Sequence, residues 1–419
     1  MILFSVALAL LVFGAISRRA ERSVLTPPLW FVLVGFGLNR IGLVDVVFSA
    51  EGIRTLAELA LVLVLFTDAA RIDLACLRRE ESLPLRLLLV GLPLTILCGA
   101  LVAAVVFPAF TTLEALLLAS ILAPTDAALG QAVVSSKRIP VRIRQSLNVE
   151  SGLNDGIALP VVLVTASLAS TLEGAAGPAE WGQFVALQIV LGPLVGVAVG
   201  LGGGRLIDSA VRRDWINDPF ERLSVLGLAV AAFGGAELVG GNGFIAAFVA
   251  GLALGNSARG TCSHLYEFGE AEGQLLTLLV FLIFGSVLVP AALATWDVRT
   301  LVYAVASLTL VRMLPVAISL VGTGLHAASV AFLGWFGPRG LASILFVLLI
   351  VEEHQLAVGP QLEAVVVLTV LLSTTAHGMT AFPFVQRYAR WLSANEKAMQ
   401  AERMEEPELP VRVRHRDLV

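Results

Sequence analysis

Carboxylates and amides interrupt an otherwise apolar stretch of this sequence. The segment Asn148-Val-Glu-Ser-Gly-Leu-Asn-Asp-Gly156 runs directly into apolar residues 157–169, and Asp126 closes a Pro-Thr-Asp sequence in the apolar stretch before it. A carboxylate is costly to bury in a bilayer, so an acidic residue inside a spanning segment indicates a functional site. Asp126 and Asp155, in successive segments, therefore predict a polar site within the membrane.

The composition indicates a membrane protein. The chain has 419 residues, of which 57% are hydrophobic and 14% charged, and its mean hydropathy is +0.88. A soluble domain carries about 25% charged residues. Because a spanning helix needs about 20 mostly apolar residues, the apolar runs predict an all-α polytopic membrane protein with about thirteen spans. Lys and Arg concentrate in alternate loops, which predicts an outside N-terminus and a cytoplasmic C-terminus in the cell (inner) membrane.

Motifs for cofactors and resident metals are absent from the sequence. The three cysteines have neither metal nor redox spacing and are interpreted as packing residues. No Gly-x-x-x-x-Gly-Lys-[Ser/Thr] sequence occurs, so nothing supports ATP-driven pumping. We expect no cofactor, and neither a nucleotide nor a nucleic acid as a partner. Histidines near predicted span ends, His377 among them, are interpreted as solvated or capping residues.

Two predicted helices are interrupted at matching places. The fifth span breaks at Pro124-Thr-Asp126 and the twelfth at Gly337-Pro-Arg-Gly340. The twelfth span comes seven spans after the fifth, and because this offset is odd the two spans cross the membrane in opposite directions, which predicts an inverted repeat with the transport site at the two breaks. Proline leaves carbonyls unpaired, which is tolerable only beside a polar cavity. We expect the breaks to cross near mid-membrane, with Asp126 and Arg339 compensating the exposed helix ends.

The spacing on the sixth helix separates two roles. Ser151 and Asp155 are four residues apart and share a face. Glu150 lies about 140° around the helix from Asp155, given ~3.6 residues per turn. A buried glutamate needs a cation, and Arg312 in the eleventh span is the preferred structural partner, with Arg339 as the next candidate.

This assignment leaves Asp155 for ion binding, with Ser151 and Asn154 beside it. A buried carboxylate of this kind binds a proton or a small cation. Carboxylate, hydroxyl and backbone carbonyl oxygens suit a dehydrated alkali cation better than a transition metal. The alternative is structural: Asp126 caps a helix after a proline kink, while Asn154 and Asp155 form hydrogen bonds between helices.

Taken in order, the motifs resemble one family. Ala123-Pro-Thr-Asp126, Glu150-Ser-Gly-Leu-Asn-Asp-Gly156, Gly337-Pro-Arg-Gly340 and His377-Gly-Met-Thr-Ala381 are similar to the monovalent cation:proton antiporters of the NhaP-type branch, in the sodium/hydrogen exchanger superfamily. The likeness covers about residues 1–391. It implies an NhaA/NhaP-like fold of thirteen spans, with two inverted six-helix repeats and crossed broken helices, assembled as a homodimer.

The resemblance also implies how the ion site works. Asp155 is the transport carboxylate. Asn154 occupies the position held by a second aspartate in electrogenic relatives, which implies electroneutral one-for-one exchange. The implied partners are H⁺, a monovalent cation (Na⁺ first, with Li⁺ or K⁺ as alternatives) and membrane lipid. The implied cation ligands besides Asp155 are Asp126, Ser151 and the carbonyl of Thr125.

Two further assignments come from the same resemblance. Glu150 and Arg312 match a structural ion pair of the family. In the third span, relatives carry an acid near the site, and Asp68 and Thr67 align with it equally well, so that ligand stays open.

The implied organisation alternates scaffold and transport segments. We expect scaffold or dimerisation helices, core transport helices of the first repeat, linker and further scaffold helices, core helices of the second repeat, and a cytoplasmic tail. These cover residues 1–82, 83–172, 183–293, 299–391 and 392–419.

Two other functional classes compete with an antiporter. An intramembrane aspartyl protease would use Asp126 and Asp155 as its dyad, and Gly152-Leu-Asn-Asp155 comes close to the Gly-x-Gly-Asp pattern of such enzymes. Asn154 in place of the second glycine, together with the matching break at Arg339, argues against it. A passive cation channel would need a continuous lined pore, whereas two broken helices fit alternating access better.

Overall fold

The fold is helical throughout the described part of the chain. The structure is a computed structural model in which the described residues contain no β-strand, so the predicted all-α fold is confirmed. The predicted tail lies outside the described residues from residue 396 onward. The described residues are 2–20, 26–42, 50–72, 74, 83–126, 129–134, 136, 138–172, 178–257, 263–354 and 356–395.

The helices are numbered in chain order. A π turn (Leu87–Gly91) joins α4 to α5, another (Phe284–Leu288) joins α12 to α13, and a 3₁₀ turn (Leu293–Thr295) follows α13. The bounds are α1 Ile2–Ala20, α2 Pro27–Arg40, α3 Ala50–Ala70, α4 Leu83–Arg86, α5 Leu92–Val106, α6 Thr112–Ile121, α7 Gln131–Val134, α8 Val141–Leu172, α9 Pro178–Arg212, α10 Asp218–Leu238, α11 Gly243–Ser257, α12 Ser263–Ile283, α13 Val289–Ala292, α14 Val298–Leu308, α15 Leu310–Ser319, α16 Ala327–Trp335, α17 Leu341–His354 and α18 Gly359–Ser393.

Several helices are long and apolar enough to cross a bilayer. Among the described residues these are Leu83–Val106, Val141–Ser170, Val190–Arg212, Gly273–Thr295, Val298–Ser319 and Gly359–Ser393. Four shorter apolar helices are Ala7–Ser17, Thr112–Ile121, Gly243–Ser257 and Leu341–Ile350. A helix of ten residues is about 15 Å long, half the hydrocarbon thickness, so α6 alone does not span. The count of thirteen spans and the inverted repeat stay predictions.

The described residues form two compact units. The boundary falls inside α8, between Asn154 and Asp155. The first unit contains both breaks, and its core packs Leu147, Val316 and Leu333 against α18. Among the described residues, the first unit is drawn from 1–57, 82–154 and 277–395, and the second from 58–81 and 155–276.

The second unit is held by close helix packing. A Cβ added at Gly196 or Gly200 of α9 would lie 2.5 Å from the carbonyl oxygen of Ala246 or Ala250 in α11. Only glycine permits this approach. The small residues therefore let α9 and α11 pack backbone to backbone, as in many membrane proteins.

Candidate functional site

The first break follows α6. This helix begins at a capping box in which the Glu114 N–H donates to the Thr111 hydroxyl at 3.3 Å and the Thr111 N–H donates to the Glu114 carboxylate at 2.6 Å. It ends at Ile121, and residues 124–126 are not helical. Proline has no N–H to donate and restricts the residue before it, so the helix ends before Pro124.

The second break lies between α16 and α17 and contacts the first directly. Residues 336–340 are not helical. The backbone N–H of Asp126 donates to the carbonyl of Pro338 at 2.8 Å, and Oδ2 of Asp126 accepts the N–H of Leu341 at 2.9 Å. A carboxylate at a helix N-terminus satisfies an unpaired donor and interacts favourably with the helix dipole. Asp126 therefore caps α17.

The C-terminal end of α6, at the first break, is capped by a cation. Nη1 of Arg339, which is fully buried, donates to the carbonyl oxygens of Ala123 and, at 3.2 Å, of Pro124. The Ser343 hydroxyl donates to the Ile121 carbonyl at 2.7 Å. Positive charge is favourable at a helix C-terminus. Each break thus supplies the charge that the other needs.

Glycines allow the two breaks to approach each other. A Cβ at Gly340 would lie 2.2 Å from Oδ2 of Asp126, and one at Gly337 would lie 2.3 Å from Nε of Arg312. Real Cβ atoms do not come this close to other heavy atoms. Both glycines are therefore needed to leave space for the charged groups.

We expect Gly340→Ala to destabilise the protein by about 1–3 kcal/mol, the usual cost of overpacking. The added methyl group displaces the carboxylate of Asp126 from the N-terminus of α17. Thermal unfolding in detergent measures the effect. Gly234→Ala on α10 is the matched control, since a Cβ there meets no atom within 4 Å. A Gly340→Ala protein that melts with the control would contradict this account.

An oxygen-rich cluster surrounds Thr125. Nδ2 of Asn154 donates to the Thr125 hydroxyl at 2.7 Å and lies 3.5 Å from its carbonyl oxygen, and the hydroxyls of Thr125 and Ser151 are 2.9 Å apart. Ser151 and Asn154 are three residues apart and share a face of α8. Among the described residues, no donor lies within hydrogen-bond distance of Oδ1 of Asn154, which is buried. Hydroxyl, carbonyl and amide oxygens thus converge beside the first break, where they are able to ligate a cation.

The structure places Asp155 on a helix, as expected, and Asp126 in the first break. Asp155 is half-buried on α8, one turn beyond Ser151. Asp126 is also half-buried. In α3, the Thr67 hydroxyl donates to the Leu63 carbonyl at 2.7 Å, within its own helix. Asp68 and Thr67 therefore both stay candidates for the cation ligand that the third predicted span contributes.

Glu150 and Arg312 lie in direct contact. Nη1 and Nη2 of Arg312, on α15, donate to the two carboxylate oxygens of Glu150 at 2.5 and 2.8 Å. Both side chains are 2% exposed. This is the pairing preferred from the sequence. The two-pronged geometry satisfies two charges that would each be costly to bury alone.

Three polar residues at the breaks were not identified from the sequence as parts of the site. Ser343 caps α6, Ser373 of α18 bonds to Arg339 in the second break, and His377 of α18 bonds to Trp335 at the end of α16. Of the two interpretations of His377, solvated or capping, the first was wrong, because the side chain is 1% exposed, whereas Nε2 lies 2.8 Å from the carbonyl oxygen of Trp335 at the end of α16, as a capping residue does. Serines in apolar helices are common, so only their position in the fold reveals these contacts.

A helical membrane protein whose two broken helices meet beside buried polar residues has the architecture of a secondary transporter. Residues 6–387 match the transmembrane region of the sodium/hydrogen exchanger family, and the chain belongs to that family. The family predicted from the four motifs is therefore confirmed.

Individual relatives agree with this assignment. The chain is 27% identical over 336 residues to the K⁺/H⁺ antiporter NhaP of Alkalimonas amylolytica, covering 80% of this chain and 57% of that one. It is 24% identical over 290 residues to the K⁺/H⁺ antiporter NhaP2 of Shewanella baltica, covering 69% and 50%. The chain thus spans about half the length of these curated relatives.

The fold is also found among solved structures. The sodium proton antiporter MjNhaP1 from Methanocaldococcus jannaschii superposes with a TM-score of 0.70, covering 95% of this chain and 97% of that one, at 18% identity. At this identity the likeness establishes the fold alone. The predicted NhaP-like fold is confirmed.

Proposed function

We propose that this protein is a secondary antiporter that exchanges a monovalent cation for H⁺ by alternating access. One observation carries the proposal: the oxygen cluster around Thr125 lies where two broken helices meet, and the next residue along α8 after its Asn154 is the carboxylate Asp155. Family membership supports the same class. Na⁺ is the first candidate cation, with Li⁺ and K⁺ as alternatives.

The proposed chemistry is competition at Asp155. Its carboxylate binds either a proton or a cation, and this exclusion couples the two fluxes. The cation ligands are Asp155, Asp126, Ser151, Asn154 and the carbonyl of Thr125. Such hard oxygen ligands replace the hydration shell of an alkali cation.

Exchange is proposed to be electroneutral. Asn154 is neutral, so the site binds one charge in each direction. The fixed charges nearby have other partners: Glu150 pairs with Arg312, and Arg339 caps a helix C-terminus. The loaded and protonated sites therefore carry the same net charge.

The proposed movement alternates access to Asp155. The core helices, 83–172 and 299–391, shift against a scaffold formed by 1–82 and 183–293. We propose that the protein works as a lipid-embedded homodimer in the cell membrane, with its C-terminal tail (392–419) in the cytoplasm. The hydrogen bonds between the breaks support the two halves of the core moving together.

Reconstituted liposomes test the function. A preset pH gradient is monitored while Na⁺, Li⁺, K⁺ or Rb⁺ is added, with choline as the control cation. We expect at least one alkali cation to dissipate the gradient without net current, so that a membrane-potential clamp leaves the rate unchanged. Current that follows the clamp would favour the channel alternative. No exchange with any of these cations would contradict the proposal.

A further inference from the structure

One helix outside the ion cluster holds both ends of the second break. Ser373 and His377 lie four residues apart on α18 and therefore share a face. Both side chains are buried. His377 contacts Trp335, the last residue of α16, and Ser373 contacts Arg339 inside the break. Helix α18 therefore bonds to the chain on both sides of the break.

The histidine contact fixes the end of α16. Nε2 of His377 lies 2.8 Å from the carbonyl oxygen of Trp335, the last residue of that helix. A carbonyl oxygen only accepts, so Nε2 carries a hydrogen and donates it. This satisfies one of the carbonyls that a helix C-terminus leaves unpaired.

The serine contact fixes the other side of the break. The backbone N–H of Arg339 donates to the Ser373 hydroxyl oxygen at 2.7 Å. Nδ1 of His377 lies 3.3 Å from the Ser373 hydroxyl oxygen and 2.9 Å from the Ser373 carbonyl oxygen. His377 thus links Trp335 to Arg339 through Ser373.

These bonds lead to the ion cluster through Arg339. Its guanidinium donates to the carbonyls of Ala123 and Pro124, immediately before Thr125. The neighbouring carbonyl of Pro338 accepts the N–H of Asp126 at 2.8 Å. A shift of the second break therefore moves Thr125, whose oxygens belong to the proposed cation site.

We propose that His377 and Ser373 are positioning residues of the cation site, which they hold in binding geometry through the second break. The inference rests on the proposed antiport function. In the described part of the chain, neither residue hydrogen-bonds to Thr125, Ser151 or Asn154, so both act through Arg339. Small displacements of ligands reduce binding and turnover strongly.

Matched substitutions at His377 test the proposal. His377→Leu removes both polar contacts, whereas His377→Gln retains an amide donor near the position of Nε2. We expect His377→Leu to raise the apparent KM for the cation about five- to ten-fold, the factor that one buried hydrogen bond controls. His377→Gln restores it to within about two-fold of wild type. Equal KM values for all three proteins, or no rescue by Gln, would overturn the proposal.

Thr374→Val is the control for a general disturbance of α18. Thr374 is buried next to Ser373, but within the described part of the chain its hydroxyl bonds only to the Val370 carbonyl of its own helix, at 2.9 Å. We expect the transport kinetics of this variant to match wild type. If His377→Leu does not fold, Ser373→Ala replaces it, because it removes the oxygen that accepts the Arg339 N–H and contacts Nδ1 of His377. An unchanged KM in Ser373→Ala would then overturn the proposal.

A second measurement separates this inference from the antiport proposal. Hydrogen–deuterium exchange followed by mass spectrometry reports the amides of Asp126 and Arg339 without any transport assay. We expect faster exchange at both in His377→Leu than in wild type, and wild-type exchange in His377→Gln. Unchanged amides with normal wild-type antiport would reject the inference alone. Faster exchange of these amides in His377→Leu, together with no antiport by the wild-type protein, would reject the function alone.

Discussion

Asp155→Asn is expected to reduce cation/proton exchange to the level of empty liposomes while leaving the protein folded. Asparagine keeps the shape of aspartate and retains a carbonyl-type oxygen, but it neither titrates nor carries charge. If Asp155 is the group for which proton and cation compete, removing its charge eliminates both binding events. The measurement is cation-driven dissipation of a pH gradient, with thermal unfolding in detergent as the test of folding.

Neighbouring substitutions sharpen this test. Asp126→Asn retains an oxygen that accepts the N–H of Leu341, so the cap on α17 survives and we expect weakened exchange rather than none. Asn154→Ala removes the donor to Thr125 and is also expected to be less severe than Asp155→Asn. If the Asp155→Asn variant exchanges near the wild-type rate, the carboxylate that binds the proton and the cation is another residue, and Asp126 is the first candidate.

The pH dependence follows from the same competition. At low pH, protons occupy Asp155 and exclude the cation, so exchange slows. At high pH, proton release is complete but reloading with a proton limits the cycle. We therefore expect a maximum between these limits that moves to lower pH as the cation concentration rises. A maximum that is independent of cation concentration would contradict competition at one site.

The breaks were predictable because their cause is local. Pro124 and Pro338 interrupt apolar runs, and a neighbouring acid or arginine indicates a charged helix end. The pairing of Glu150 with Arg312 was predictable for a different reason: a membrane interior offers few cations, and each buried charge needs a partner.

The roles of Ser343 and His377 were not predictable in the same way. Ser343 bonds to a carbonyl 222 positions earlier in the chain, and His377 bonds to one 42 positions earlier. Nothing in the residues around either one identifies the distant carbonyl. Only the crossing of the helices brings them together. The same limit applies to the short helices, since composition does not distinguish a half-helix from a complete span.

Charge compensation at the breaks has a consequence for how the protein moves. Asp126 caps α17 and Arg339 caps α6, so separating the two breaks would expose two helix ends and two charges together. Such a separation is costly in a bilayer. We therefore expect the crossing to move as one piece during transport, with the change in access occurring outside it.

The ion pair gives the largest expected effect on stability. Glu150→Leu leaves Arg312 buried without its counter-charge, and Arg312→Met leaves Glu150 likewise. Breaking a buried pair by removing one partner typically costs about 3–5 kcal/mol. We expect each single variant to show low yield and a strongly reduced thermal unfolding temperature. The variant Asp208→Asn, which disrupts the partly exposed pair with Arg212, is the control and should cost less than about 1 kcal/mol.

The double variant Glu150→Leu/Arg312→Met distinguishes structure from transport. Replacing a whole buried ion pair by apolar side chains is often neutral or stabilising, because the desolvation cost of both charges disappears. We therefore expect the double variant to be more stable than either single variant and to keep the wild-type apparent KM for the cation. Recovered stability with a changed KM would mean that Glu150 also contributes to the ion site. Removing one of two charges buried this deeply should be costly if the pair holds the fold together. Single variants as stable as Asp208→Asn would therefore mean that the pair has no structural role.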